Sequence, residues 1–364
     1  MTLVRAVIRV LALPLLVASL AAVLASAGAT LGYDFQGYVQ AARRLLDGAP
    51  LYDRSVDLAG GFAIYLYPPP FALAFVPFAL LPEMVGTWVW TALLVGCLLG
   101  AVALLPVRRE IRWLVLLLAA VDWPVLYGVK LGQVGPLLLL LFALGWRWLD
   151  RDRALGASAA AGAIVKVQPG LLIGWAWLMG RRRAAGTGIA IVVLAAGVAT
   201  LATGPGAWFD YLALIGRVSS PITTPHNFTP GAIAWQAGVP EPLAAVIQSA
   251  AMLGTALAVL AAIRWTSAEV SYLATVVATQ LLSPLLWDHY AIVLLLPVAW
   301  LLERRQWWAA AIPLATSLPL VMIAPAFTYP IVFALGLLGP MAVARFADNS
   351  RIEAPATLRL SGHP

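Results

Sequence analysis

Long apolar runs separated by short arginine-rich clusters set the pattern of this chain. Runs of about 20 residues recur from one end to the other, and each is long enough to cross the hydrocarbon core of a bilayer as a helix. The pattern predicts an all-α polytopic membrane protein. A transmembrane barrel would show alternating apolar and polar segments of about ten residues instead. Spans are expected at about 8–29, 84–105, 112–127, 134–149, 184–203, 241–264, 268–286, 289–302, 306–325 and 328–344. Two shorter pieces, about 154–165 and 168–179, flank Lys166-Val167-Gln168-Pro169 and read as a broken hairpin. As one continuous helix the pair would hold Lys166 in mid-membrane, at a cost of roughly 2.5 kcal/mol or more. The total is about twelve crossings in a single domain, 1–364, with no internal repeat.

The basic clusters orient this scheme. Arg5 and Arg9, Arg108 to Arg112, Arg147 to Arg153, Arg181 to Arg183, Arg304-Arg305 and Arg345 with the tail are expected on the cytoplasmic side, because cytoplasmic loops collect Arg and Lys. Both termini are then cytoplasmic, and 30–82 and 204–240 are external loops. The first apolar run is too long for a secretory h-region of 7–15 residues, so it is read as a retained helix despite Ala25-Ser26-Ala27.

Composition agrees: 62% of residues are hydrophobic, 11% are charged, and mean hydropathy is +0.90. A soluble domain carries about a quarter charged residues. The net charge of +7 follows from membrane orientation rather than from nucleic acid. One cysteine, Cys97, allows no intrachain disulfide, and His226, His289 and His363 lack metal-ligand spacing. No metal or cofactor is expected, and no phosphate-binding Gly-rich motif occurs.

With the loops so assigned, Asp34, Tyr67, Lys130, Gln133, Lys166, Gln168, His226, Asp288 and His289 all fall at the external face. Ionisable residues in or beside membrane segments are candidate functional groups. Residues 33–48 read as an interfacial amphipathic helix on Phe35, Val39, Ala42 and Leu46, closed by Gly48. Asp34 at its start is either an N-cap or a general base. Tyr65 to Pro70 suits an extended entry to a second external helix at about 71–81. Lys130 and Lys166, the only lysines, either snorkel or hold a phosphate. Asp288 and His289 are adjacent, so their side chains should diverge if the segment is helical.

These residues resemble glycosyltransferase family 87, the polyprenyl-phosphate-dependent mannosyltransferase-like proteins of the GT-C fold class. The resemblance is carried by Asp34 with Tyr38, Gly48-Ala49-Pro50-Leu51-Tyr52, Tyr67-Pro68-Pro69, Pro77, Leu81-Pro82, Gly132-Gln133, Lys166 with Pro169, and Ser283-Pro284 with Trp287-Asp288-His289-Tyr290. Gly135 departs from the family pattern, which often has Asn there. The resemblance implies a GT-C bundle with two external juxtamembrane helices. It implies inverting transfer of a sugar, mannose above all, from a polyprenyl-phosphate donor to an external lipid or glycan acceptor, in the inner (plasma) membrane. Asp34 is then the base, Lys166 and His289 meet the donor phosphate, and Tyr67, Gln133 and Asp288 contact substrate. A transporter or flippase of a lipid-linked glycan would also explain apolar helices with internal cations, but it predicts inverted repeats. A structural subunit would not explain polar residues gathered on one side.

Overall fold

The computed structural model describes residues 2–52, 64–218, 221–223, 226–323 and 325–352. His363 and the tail beyond Ile352 lie outside the described residues. Among those described the protein is helical, with one isolated bridge between Asp122 and Ser317 and no strand. The helices are α1 Thr2–Ala25, α2 Tyr33–Leu46, α3 Pro69–Leu73, α4 Val76–Ala79, α5 Glu83–Leu104, α6 Arg109–Ala119, α7 Trp123–Leu131, α8 Gly135–Arg147, α9 Asp152–Val165 and α10 Leu171–Leu178. They continue as α11 Arg182–Thr203, α12 Gly206–Val218, α13 Pro230–Gln236, α14 Glu241–Trp265, α15 Ala268–Leu281, α16 Leu295–Glu303, α17 Ala311–Ala315, α18 Leu318–Val321 and α19 Thr328–Ile352.

Five helices, α1, α5, α11, α14 and α19, are long and apolar enough to cross a membrane, and α7 with α8 makes a sixth if that pair, bent by 119°, is one span. The chain is therefore a multi-pass helical membrane protein. The outer helices keep apolar side chains such as Leu194, Leu201 and Leu253 exposed, as a lipid-facing surface requires. The inner layer is different: Val270 to Gln280 of α15 and Leu295 to Leu302 of α16 are buried throughout.

Several expected spans are broken. The run at about 112–127 divides into α6 and α7, and the run at about 306–325 divides into a 3-10 turn at Trp307–Ala310, α17 and α18. The two breaks interlock. Trp123 N–H donates to the Thr316 carbonyl at 3.0 Å, Leu318 N–H donates to the Val121 carbonyl at 3.0 Å, and Thr316 Oγ1 donates to Asp122 Oδ1 at 2.7 Å. Pro124 and Pro319 open the new helices at a position where a missing N–H costs nothing. The expected helix at about 289–302 starts as a 3-10 segment, Asp288–Leu294. Residues 204–240 hold α12 and α13 rather than an unstructured loop, and the expected helix at about 71–81 is two short ones, α3 and α4.

In α2 the buried face is Phe35, Tyr38, Val39, Ala41 and Ala42, while Leu46 is exposed, contrary to the simple periodic reading. Gly48 closes the helix as expected. At φ +66° it allows Gly48 N–H to reach the Leu45 carbonyl at 3.3 Å and Ala49 N–H the Arg44 carbonyl at 2.8 Å.

The basic clusters converge on one end of the bundle. Arg9 pairs with Glu110 at 3.0 Å, joining α1 to α6, and Arg108 pairs with Glu303 at 2.7 Å, joining α6 to α16. Glu269 accepts from Trp146 at 2.9 Å, Trp300 at 2.8 Å and Arg304 at 3.0 Å. Arg181 donates to the Leu149 carbonyl and pairs with Asp152 at 3.7 Å. Helix α8 runs from Gln133 to this end and α9 runs back from it to Lys166, each about 20 Å at 1.5 Å per residue. The two lysines therefore stand at the end opposite the arginine clusters. In a Cys97→Ser background, Asp47→Cys in intact cells should react with an impermeant maleimide and Arg153→Cys only after permeabilisation. The reverse labelling would invert the orientation.

Candidate active site

The site is built on a glycine contact. Gly32, left-handed at φ +68°, caps α2 and donates its N–H to the Lys130 carbonyl at 2.9 Å. Gly132, left-handed at φ +72°, ends α7, and a Cβ there would meet Phe35 Cβ at 2.8 Å and the Gly32 Cα at 3.4 Å. Trp90 of α5 seals the junction by donating from Nε1 to the Gly132 carbonyl at 2.7 Å. The start of α2 is thereby pressed against the turn that joins α7 to α8.

Asp34 follows within the first turn of α2. It is not the cap, because Gly32 holds that position. Its Oδ2 is buried and has no hydrogen-bond partner. Burial pushes the carboxyl above its usual range, and His289, the nearby Gln133 side chain and Lys166 pull it back. Gln133 lies in the turn between α7 and α8, and its Oε1 accepts from Tyr67 at 3.0 Å and from Val134 N–H at 3.2 Å. The Tyr67 hydroxyl also lies 2.9 Å from that of Tyr38.

Lys166 terminates α9 in an extended conformation, as the hairpin reading expects. The next turn, Gln168–Gly170, folds back so closely that a Cβ on Gly162 would lie 2.9 Å from Pro169 Cβ. Lys166 Nζ sits 3.9 Å from the Tyr290 ring centroid and 5.5 Å from that of Tyr67, held between two electron-rich faces. Burial lowers its amine to about 7, against the attraction of Asp34. Lys130 stands apart, over Tyr127 at 5.7 Å.

His289 is 5% exposed, and neither ring nitrogen has a hydrogen-bond partner. Asp288 and His289 do not diverge as expected, because Asp288, the first residue of the 3-10 segment, folds its carboxylate back onto its neighbour. Asp288 Oδ1 folds back to accept His289 N–H at 2.7 Å and lies 3.4 Å from His289 Nδ1. Asp288 Oδ2 accepts from Trp123 Nε1 at 3.1 Å. Both Asp288 oxygens are thus engaged within the protein, whereas Asp34 Oδ2 and the His289 nitrogens are not. Gln168 reaches Ser283 at 3.5 Å, tying the hairpin to the segment that carries His289. Among the described residues no group of three or more His, Cys, Asp or Glu is placed to hold a metal ion.

Sequence reasoning missed Asn227. It is fully buried; its Oδ1 accepts from Thr229 N–H at 3.1 Å and Leu286 N–H at 3.0 Å, and its Nδ2 donates to the Pro284 carbonyl at 3.3 Å. One side chain fastens the 226–230 loop to the strip that presents His289. The readable signal was Thr229-Pro230, a helix start directly behind a small amide. The Tyr290 face under Lys166 was also missed, since an aromatic at a span end reads as an interfacial anchor.

Asn227→Ala leaves two buried N–H groups unpaired, at about 1–3 kcal/mol each. It should lower the unfolding temperature in detergent and disorder the His289 strip. Unchanged melting would show that the strip is held by other contacts.

Comparison with curated proteins and with solved structures gives no significant match. The family model described as glycosyltransferase family 87 matches residues 65–287, which takes in Tyr67, Gln133 and Lys166, leaves Asp288 and His289 just past its end, and begins 31 residues after Asp34. That span is more than half of the chain, and the protein belongs to glycosyltransferase family 87.

Proposed function

We propose that this glycosyltransferase moves mannose from a polyprenyl-phosphate donor to an extracytoplasmic lipid or glycan acceptor, with inversion, using Asp34 as general base. The supporting observation is a buried carboxylate oxygen with no internal donor, within electrostatic reach of Lys166 and His289. A carboxylate left bare in such a place costs stability, and the acceptor hydroxyl is the donor that would satisfy it. The acceptor oxygen attacks the anomeric carbon as its proton passes to Asp34 Oδ2. The bond from that carbon to the phosphate oxygen breaks, and its electron pair leaves with the lipid phosphate.

Lys166 and His289 would receive that phosphate. Both present N–H groups or lone pairs uncommitted to other hydrogen bonds in the protein, and stabilising charge as it develops on a leaving group is where fixed cations contribute most. A single lipid phosphate with an apolar tail suits a membrane-embedded protein, since the tail can lie along the exposed apolar helices. The arginine-bearing end is assigned to the cytoplasm of the inner membrane, with both termini there, and the Asp34 end to the outside. Asp288, engaged with Trp123 and His289, would act on substrate chiefly by shaping the strip that carries His289.

Asp34→Asn keeps the shape and removes the basicity. Transfer from radiolabelled polyprenyl-phosphate mannose to host membrane acceptors should fall by about 10²–10⁴-fold, with donor binding retained. Transfer within about threefold of wild type, in protein that folds, would sink the general-base reading; threefold is far below any general-base contribution. Lys166 yields a second expectation. Its amine, lowered to about 7, loses its charge as pH rises through that value, so the donor KM should rise above neutrality. Lys166→Arg, charged throughout, should flatten that rise. A wild-type donor KM that is constant from about pH 6 to about pH 9, a range spanning the lowered Lys value, would remove Lys166 from the phosphate site.

A further inference from the structure

Tyr329 carries a buried polar atom that the proposed transfer step does not use. The residue is 5% exposed, and its hydroxyl has no hydrogen-bond partner. It stands in the first turn of α19, beyond the segment that the family model matches.

Packing sets where that hydroxyl lies. Helix α19 runs parallel to the 288–303 segment: a Cβ on Gly336 would meet Leu294 Cδ2 at 2.6 Å, and one on Gly339 would come 3.5 Å from Leu301 Cδ1. Tyr329 precedes Gly336 by seven residues, which returns it to the same face of the helix within about 20°. It stands about 10 Å from Gly336 along the axis, at about 1.5 Å per residue. Asp288 stands about 12 Å from Leu294 in the same direction, at about 2.0 Å per residue of 3-10 helix. Tyr329 is therefore level with Asp288 and His289. The Phe228 ring, 4.5 Å from that of Tyr329, ties it to the same strip, because Phe228 N–H donates to the Leu286 carbonyl at 2.8 Å.

The surroundings select the ligand. Asp288 and Asp122 lie within electrostatic reach of the hydroxyl. Their carboxyl groups already accept from Trp123, from His289 N–H and from Thr316. A phosphate is disfavoured beside such acidic groups, since like charges repel. A phenol is uncharged and both donates and accepts, and a sugar hydroxyl does the same. Half-buried Trp287 and Tyr127, 5.8 Å and 6.3 Å from the His289 ring, add an aromatic wall with few polar atoms, the usual lining of a small-molecule site.

We infer that Tyr329 is a substrate-binding residue whose hydroxyl meets a hydroxyl of a bound sugar, on the α19 side of the Asp288–His289 strip. The sugar of the donor and that of a glycan acceptor share this chemistry. The inference rests on the reading of the protein as a transferase that uses a lipid-phosphate sugar.

Tyr329→Phe keeps the ring on Phe228 and removes only the hydroxyl. In detergent its unfolding temperature should equal or exceed that of wild type, since a bare buried hydroxyl costs stability. Binding of polyprenyl-phosphate mannose to the full-length protein, followed by tryptophan fluorescence, should weaken about tenfold, the scale of one neutral hydrogen bond. Binding of polyprenyl phosphate without the sugar should not change. That pair of results assigns the contact to the donor sugar. Unchanged binding of both lipids, with a KM for glycolipids extracted from host membranes raised about tenfold in the transfer assay, assigns it to the acceptor sugar. The proposal is overturned if donor binding and acceptor KM are both unchanged, or if the two lipids lose affinity equally. An unfolding temperature below that of wild type also overturns it, because the hydroxyl would then be bonded within the fold. Wild-type protein that binds neither lipid refutes the donor reading instead, and the melting comparison, which needs no ligand, still tests the hydroxyl on its own.

Discussion

One backbone hydrogen bond, from Gly32 N–H to the Lys130 carbonyl, sets the start of α2, and Asp34 with it, against the turn that carries Gln133. It joins the end of the linker after α1 to the last turn of α7, and it forms only because both glycines at the junction, Gly32 and Gly132, take left-handed φ and carry no Cβ. A side chain at Gly132 would collide with Phe35, the residue after Asp34. The close approach therefore sets the distance between Asp34 on one element and Gln133 on another. Neither residue is brought near the other by sequence. A buried, half-satisfied carboxylate would otherwise relax toward solvent, since an unpartnered polar atom in an apolar setting costs a few kcal/mol. The glycine junction and the Trp90 seal above it deny α2 that escape.

The second constraint is the separation of charge between two ends. Arginines pair with Glu110, Asp152, Glu269 and Glu303 at one end, whereas both lysines lie at the other among Tyr127, Tyr67 and Tyr290. The difference has a chemical reason. A guanidinium stays charged and forks onto carboxylates and carbonyls, which suits a scaffold joint. An amine over aromatic faces is held without being neutralised, so it can still meet an anion. The buried layer of α15 and α16 spans between the ends, and the Glu269 cluster anchors it at the arginine end. The ends are coupled through packed helix rather than through any polar wire across the middle, where ionisable groups are costly.

Much of this was legible in the sequence, and the limits have physical causes. The long lipid-facing helices α1, α5, α11 and α14 announce themselves because lipid demands an unbroken apolar run. The hairpin at Lys166 is legible because Pro169 and a lysine interrupt such a run. The breaks at Asp122 and at Thr316-Ser317 are not, because each is stabilised only by the other, across nearly two hundred residues of chain. Their polar atoms look like errors in a span until the partner is known. The same holds for Asn227, whose side chain joins Thr229 to Pro284 and Leu286 on another segment. Asp34 was ambiguous locally, since aspartate at a helix start is the commonest of caps. Only the tertiary contact of Gly32, which takes the cap position, frees Asp34 from that duty.

The pattern of satisfied and unsatisfied groups then separates scaffold from chemistry within a few ångströms. Around the site, Tyr38, Tyr67, Gln133, Asp288, Trp90 and Trp123 all have their hydrogen bonds met inside the protein. Asp34 Oδ2 and both His289 nitrogens have none. Of the five such buried atoms among the described residues, Gln248 Nε2 and Tyr329 Oη are the other two. The three at the site belong to Asp34 and to His289, and Asp34 lies within electrostatic reach of both His289 and Lys166. Folding alone gives no reason to keep a carboxylate oxygen and an imidazole bare beside a cation, because an apolar side chain of similar volume would pack there at less cost. The gaps are worth their cost only if something else supplies the missing partners, and a sugar hydroxyl with an anionic leaving group supplies both.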